Sequence, residues 1–293
     1  MAGTVLVTGA TGNTGAPLVD LLVRRGVQVR ATVRSERDLA RFAGAGVEAV
    51  VADFDDAGSI AAALDGVERT YLVTPSSERA QEQQERFVDL AAEAGVAQIV
   101  KLSQLAADED SPVRFLRYHA AVERRIRERR IGFAFLRPNL FFQGLLAMAG
   151  PIREQGRFFA PIGDVPISAV DVRDIAAVAA TALTEPGHDA AVHTITGPDA
   201  VTHAQIATAI SAAVGRTVTF VDVDPESFAA SLRGVLPDWQ VDGLVEDYAH
   251  YARGEAADVT TTVSDVTGYS PRSVTGFATD HAAAFTALEP AAP

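Results

Sequence analysis

The 293-residue chain carries 38 acidic against 25 basic residues, a formal charge of −13, and no cysteine. The missing thiols exclude disulfides, thiolate metal centres and a cysteine nucleophile, and the negative field repels phosphate backbones and anionic lipid. Neither nucleic acid nor membrane is expected as a partner, and no stretch reaches the ~18 uninterrupted apolar residues of a membrane span.

Met1-Ala2-Gly3 runs directly into a strand-like segment, leaving no room for a leader peptide, so a cytoplasmic protein is expected. Short β-branched runs at 4–8, 28–33, 48–51, 69–73, 98–102 and 132–136 predict strands. Between them, amphipathic segments near 14–25, 36–44, 57–64, 78–94 and 113–129 predict helices, several closed by Gly26, Gly66, Gly95 and Gly132 as C-caps. Successive strand–helix units imply an α/β fold with a doubly wound parallel sheet.

Beyond about residue 150, Pro151, Pro161 and Pro166 punctuate an irregular stretch, followed by a helical run from Val172 to Leu183. Helices near 202–214, 225–235 and 239–252 are predicted around one strand-like run, 217–223, with a last helix near 274–287. This organisation predicts a nucleotide-binding domain over 1–150 and a smaller, mainly helical substrate-binding region over 151–293. Residues 171–195 are expected to pack back on the first domain. With no flexible linker between them, the two regions are expected to share a cleft.

The sharpest motif is Thr4-Val-Leu-Val-Thr-Gly9-Ala10-Thr11-Gly12-Asn13-Thr14-Gly15, a strand that leads through three evenly spaced glycines into a helix. Gly9 suits the tight turn, Gly12 lets backbone approach a pyrophosphate, and Gly15 lets the helix pack closely on the sheet. The helix N-terminus adds free N–H groups and a positive partial charge. Such a strand–loop–helix marks a Rossmann-type dinucleotide-binding unit. The second strand ends Thr32-Val33-Arg34-Ser35, with Arg37 nearby and no acid to hold a ribose diol. A guanidinium there pairs with a 2′-phosphate, which favours NADP(H) over NAD. The plainer reading of Arg34 is a solvated loop residue.

Five segments, Gly9–Gly15, Val33-Arg34, Val51-Ala-Asp53-Phe54-Asp55, His119-Ala-Ala-Val-Glu123 and Leu136-Arg137-Pro138-Asn139, together resemble the NmrA-like branch of the atypical short-chain dehydrogenases. That branch includes NADPH-dependent quinone oxidoreductases, triphenylmethane-dye and isoflavone-type reductases, and non-catalytic regulators that sense NADP(H). The resemblance implies that Asp53 and Phe54 border the adenine and that Thr74 and Pro75 flank the inner ribose. It also implies that Ser103 lies by the nicotinamide, with the Pro138-Asn139 backbone passing along the ring. Taken singly, these residues have simpler roles: Asp53 a helix cap, Ser103 a turn residue, Pro138 a strand terminator.

Ordinary members of the superfamily pass a proton through a Tyr and a Lys one helical turn later. Aligned with that pattern, Phe115 falls at the Tyr and His119 at the Lys, while the register that uses Tyr118 finds Val122 in place of the Lys. Phenylalanine donates no proton, so the expected acceptor is one whose reduced form is delocalised: a quinone, a cationic dye or another conjugated electrophile. His119 and Asn139 are the candidates for the chemistry. His119 is read either as orienting the nicotinamide ribose or donating a proton near neutral pH, or as an ordinary surface or half-buried histidine.

Phe141, Phe142, Phe158, Phe159 and Trp239 are candidates for an acceptor pocket or for core. The basic cluster Arg124, Arg125, Arg127, Arg129 and Arg130 reads as a solvated helix face, and Asp171 and Asp174 as structural. The other histidines, 188, 193, 203, 250 and 281, lack metal-site spacing. The expected protein is an NADPH-dependent oxidoreductase acting on a small-molecule acceptor, a monomer or homodimer with no metal. The alternatives are an NADP(H)-sensing regulator that turns nothing over and a biosynthetic reductase or isomerase.

Overall fold

The computed structural model describes residues 3–286. In chain order they form β1 (Thr4–Val7), α1 (Gly15–Arg24), β2 (Val29–Val33), α2 (Glu36–Leu39), β3 (Val47–Val51), α3 (Ala57–Leu64), β4 (Val67–Leu72), α4 (Ala80–Glu93), β5 (Gln98–Leu102), α5 (Arg114–Glu128) and β6 (Gly132–Pro138). A 3-10 segment, Phe142–Met148, then runs into α6 (Ala149–Gln155), β7 (Arg157–Ala160), α7 (Val172–Thr184), β8 (Ala191–Ile195), α8 (His203–Val214) and β9 (Thr219–Asp222). The last elements are α9 (Pro225–Leu232), α10 (Asp238–Ala252), α11 (Thr262–Thr267), α12 (Val274–Asp280) and α13 (Ala282–Phe285). Ala287, the predicted end of the last helix, lies outside the described residues.

The chain divides into two compact units. The first runs to Pro138 and takes up Arg173–Ile195 and Asp265–Gly268; the second holds Asn139–Val172, Thr196–Ser264 and the described residues from Tyr269. Residues 139–150, expected in the first unit, thus belong to the second.

In the first unit seven strands form one parallel sheet in the order β3-β2-β1-β4-β5-β6-β8. This is the doubly wound α/β fold that the alternation of strands and helices predicted. The order reverses between β1 and β4, and ligands of such sheets sit beyond the strand C-termini at that reversal. Leu6, Leu72, Ile99 and Phe135 of the strands pack with Leu64, Phe87, Val122 and Ile126 of α3, α4 and α5 in one apolar cluster. On α1, Leu18, Val19 and Leu22 are buried, while Leu21 is only half-buried.

The differences from expectation have local causes. Strand β8, Ala191–Ile195, escaped notice because His193 and Thr194 interrupt its short apolar run and Val192 faces out. The four residues of β7 are hidden among prolines, yet they pair in parallel with β9 as a two-stranded sheet in the second unit. Helix α2 is shorter than predicted because the chain tightens into a 3-10 turn over Ala40–Phe42 before Gly44. Gly132 is not a C-cap: Arg130 takes the positive φ of 55°, and Gly132 opens β6 with the Ala97 carbonyl oxygen where a Cβ would stand. The short α11 went unpredicted.

The second unit has its own aromatic core. Phe158 of β7 and Phe220 of β9 lie 5.6 Å apart between ring centroids, and His203 of α8 sits 5.1 Å from Phe220. Burial pushes His203 down to about 4, so its ring packs as a neutral aromatic. Phe142 stacks on Phe277 at 5.4 Å. Phe142 and Phe158 are therefore packing residues of this unit, 2% and 0% exposed.

Leu72 is fully buried on a central strand, and large-to-small changes at such sites cost about 2–5 kcal/mol. Leu72→Ala is expected to lower the free energy of unfolding in urea by that amount, moving the midpoint down with an unchanged denaturant slope.

Candidate functional site

The glycine loop joins β1 to α1 at the sheet's reversal. Gly9 has φ +58°, and a Cβ there would stand 2.7 Å from Cγ1 of Val73. A Cβ at Gly15 would collide with the Gly9 carbonyl oxygen, so the helix can start this close to the turn only without one. The turn itself is closed by Gly12 N donating to the Gly9 oxygen at 2.8 Å.

Strand β4 braces the loop from the side. The Thr8 hydroxyl donates to the carbonyl of Val73 at 2.8 Å, and the Tyr71 phenol donates to Thr14 Oγ1 at 3.0 Å. Burial pushes the Tyr71 phenol up, so it stays protonated and keeps that bond. The amides of Thr11, Asn13, Thr14 and Gly15 donate to no atom of the described residues. Four unspent donors above a helix N-terminus form a cradle for a diphosphate, and the chemistry of the loop fits that group.

Arg34, just past β2, is exposed and makes no hydrogen bond or ion pair among the described residues. Its neighbour Arg37 is tied to the Ser35 hydroxyl. Asp53, after β3, is not the cap of α3: its Oδ1 accepts from Asp55 N at 2.9 Å in a turn, and Asp56 caps the helix by accepting from Gly58 N. Phe54 is half-buried against Phe87, 5.8 Å between centroids. Past β4, Thr74 Oγ1 accepts from the buried Gln84 at 2.8 Å, while Pro75 is exposed. All these positions stand beyond the C-termini of strands.

Past β5 lies a buried polar network. Lys101 and Ser103 are two residues apart on one face of β5 and its exit, and His119 and Glu123 are four apart on one face of α5. Lys101, fully buried, places Nζ 2.7 Å from His119 Nδ1 and donates to the Leu102 carbonyl at 2.9 Å. Ser103 Oγ donates to Glu123 Oε1 at 2.6 Å. Arg137 of β6 clasps the same carboxylate with both prongs, Nε to Oε1 at 2.9 Å and Nη2 to Oε2 at 2.6 Å. Glu123 is fully buried, so this fork keeps its charge compensated.

Burial shifts both members of the Lys101–His119 pair toward their neutral forms. Burial pulls Lys101 down to about 7, opposed by the Glu123 charge and aided by Arg137. Burial, then the charges of Lys101 and Arg137, hold the His119 ring well below the ordinary histidine range. Both effects favour the neutral His119 ring over the imidazolium. The ring is 9% exposed and lies against the Tyr118 ring, 4.1 Å between centroids.

Sequence reasoning passed over Lys101, Glu123 and Arg137 as members of this network. The signal was present in a lysine set among Ile99, Val100 and Leu102 of a predicted strand. Pro138, buried, ends the first unit. Asn139 opens the second, where its amide donates to Ser168 Oγ and to the Ala256 carbonyl, both at 2.8 Å, and its Oδ1 accepts from Leu140 N. Every polar atom of that side chain is engaged within its own unit.

The basic face of α5 is paired: Arg125 and Arg129 both reach Asp89, Arg124 reaches Glu109 and Glu128, and Arg127 lies over Phe133 and Phe135. His188 and His193 meet at 3.2 Å between Nδ1 and Nε2. Among the described residues no group of three or more His, Cys, Asp or Glu is placed to hold a metal ion, and no helix is long and apolar enough to cross a membrane.

A seven-stranded parallel sheet with an amide-lined glycine loop at its reversal defines a doubly wound, nucleotide-binding class of α/β protein. Residues 1–270 match the model of the NmrA-like family, and the chain belongs to that family, as its motifs implied. An NAD(P)H azoreductase of Xenophilus azovorans is 36% identical over 282 residues, covering 96% of this chain and 99% of the relative. An NADPH-dependent quinone oxidoreductase from Escherichia coli, solved in complex with NADPH, superposes with a TM-score of 0.85 at 28% identity over 94% of this chain and 99% of that one. A triphenylmethane reductase of Citrobacter sp. complexed with NADP(H) gives a TM-score of 0.83 at 26% identity, covering 95% and 99%.

Glu123→Ala leaves the Arg137 guanidinium and the Ser103 hydroxyl without their shared acceptor. Removing one partner of a buried ion pair costs on the order of 3 kcal/mol, and chemical denaturation of the variant is expected to show a loss of that size. A loss no larger than for the exposed pair partner Glu109→Ala would contradict the network's weight in the fold.

Proposed function

We infer that this chain is an NADP(H)-dependent oxidoreductase that passes hydride to a small conjugated acceptor of the quinone, azo or triphenylmethane-dye kind. The observation that carries the reading is the loop of four unspent amides with an exposed, unpartnered Arg34 one strand away. The relatives supply the class of acceptor, since those named above act with reduced nicotinamide nucleotides on such compounds.

The loop amides of Thr11, Asn13, Thr14 and Gly15 hold the diphosphate, with Gly9, Ala10 and Gly12 shaping the turn. Arg34 takes the 2′-phosphate by charge-assisted hydrogen bonds. Asp53 and Phe54 border the adenine, Thr74 and Pro75 the inner ribose, and Ser103 and Pro138 the nicotinamide end. The bound nucleotide supplies a hydride.

In the register that puts Phe115 and His119 at the Tyr and Lys of the ordinary relay, there is no phenol with an ammonium one turn later to protonate an alkoxide. An acceptor whose reduced form spreads its charge over a conjugated system needs no such donor. Asn139, with its amide engaged within its own unit, acts by holding the backbone that follows Pro138.

Titration followed by nucleotide fluorescence is expected to give NADPH a Kd at least about tenfold below that of NADH, a difference of ~1.4 kcal/mol. Arg34→Ala removes charge-assisted bonds worth ~1.5–3 kcal/mol and is expected to abolish that preference by weakening NADPH alone. Equal affinities in the parent refute the coenzyme assignment. NADPH binding without any loss of reduced-nicotinamide absorbance across a panel of quinones, azo dyes and triphenylmethane dyes refutes the enzyme and leaves an NADP(H) sensor.

A further inference from the structure

The contact between Lys101 and His119 has a chemical consequence that follows from counting hydrogens. An ammonium group has three donors and no acceptor. When Lys101 Nζ stands 2.7 Å from His119 Nδ1 as an ammonium, that nitrogen has to accept, and the single ring proton of the neutral imidazole has to sit on Nε2. Nε2 makes no hydrogen bond among the described residues, yet it is not among the side-chain nitrogens sealed from solvent without a partner. It is an N–H that retains access to solvent, mounted on a ring clamped by the lysine on one side and by the Tyr118 ring on another.

We propose that Lys101 is a positioning residue that locks His119 in its Nε2–H tautomer, so that the histidine presents a fixed neutral hydrogen-bond donor to an oxygen of the bound ligand. The ligand half of this rests on the nucleotide-dependent function inferred above. The oxygen is either a hydroxyl of the nicotinamide ribose or the oxygen of a quinonoid acceptor, since both offer lone pairs to an N–H.

Three features make the lock specific. Lys101 is itself held in place, because a second of its hydrogens goes to the Leu102 carbonyl at 2.9 Å. No carboxylate competes for its ammonium by direct contact, because Glu123 is taken by Arg137 and Ser103. Burial, together with Lys101 and Arg137, keeps His119 from taking a second proton, so while Lys101 is an ammonium the ring is the neutral Nε2–H tautomer and not an imidazolium. The arrangement replaces a relay that gives up a proton with a donor that keeps its proton and polarises what it touches.

The test is nitrogen-15 NMR of the imidazole rings, recorded about a pH unit below the Lys101 value of about 7. In the parent protein His119 is expected to show an unprotonated Nδ1 and a protonated Nε2 with directly bonded hydrogen. Lys101→Met keeps the chain length and apolar bulk but removes the donor, and its His119 spectrum is expected to become a mixture of the two tautomers. A merely structural lysine would change the melting temperature and leave that assignment alone. A protonated Nδ1 in the parent, or an unchanged spectrum in Lys101→Met, overturns the proposal.

Two further arms identify the oxygen. Added NADP+ moves the Nε2–H resonance if the ribose is the acceptor. If only NADP+ together with a fully substituted benzoquinone moves it, the acceptor's oxygen is the partner. No movement in either overturns the donor role. The tautomer is read without any nucleotide, so failure of the lock and failure of nucleotide binding are separately visible. Consistent with the lock, kcat/KM is expected to fall about tenfold or more in His119→Leu, matching one lost hydrogen bond of ~1.4 kcal/mol, and to recover in part in His119→Gln.

Discussion

The turn from β1 into α1 constrains everything around it. The chain leaves the sheet, reverses and starts a helix within a few residues, which places the Gly9 carbonyl where a side chain at residue 15 would otherwise begin. That contact is possible only between backbones, and beside it the amides of Thr11, Asn13, Thr14 and Gly15 donate to no atom of the described residues. A fold normally satisfies its amides, so four left free together mark a place reserved for an anion. The strand order then puts this place at the reversal of the sheet, with β4 and its Tyr71 holding the loop from the side.

The second organising feature is a set of charges in a dry place. Glu123, Lys101 and His119 are each 9% exposed or less, and a buried charge is costly unless fully paired. Arg137 and Ser103 satisfy the carboxylate, while Lys101 finds only a carbonyl and an imidazole. An apolar strand residue at position 101 would stabilise the sheet more simply. A lysine beside a histidine, at the C-terminal edge where the ligands of such sheets bind, is physically intelligible as control over the ring.

The elements that were legible and those that were not differ in one respect. Strands β1, β2, β4, β5 and β6 are largely buried, and their β-branched runs stand out from the amphipathic helices between them, while the edge strand β3, with no fully buried residue, was legible from its valines alone. The edge strand β8, with Val192 outward, and the four-residue β7 carry no such run, and their pairing partners are distant in sequence. Gly132 shows the same limit at one residue: a glycine after a helix reads as a cap, whereas its actual constraint is the Ala97 carbonyl against its missing side chain. The glycine loop and Arg34 were legible because their chemistry is local; the Lys101–His119 contact was not, because it joins a strand to the helix after it through side-chain reach alone.

By itself, the sequence determined the parallel α/β sheet, the family and the glycine turn between β1 and α1, because each depends on residues near one another in the chain or on a period of apolar positions. Only the tertiary structure decided which charges are buried together, which nitrogen of His119 is engaged, that Asn139 is engaged within the second unit, and where the chain passes from one unit to the other. Those outcomes depend on burial and on distances between segments far apart in sequence, and neither has a local signature.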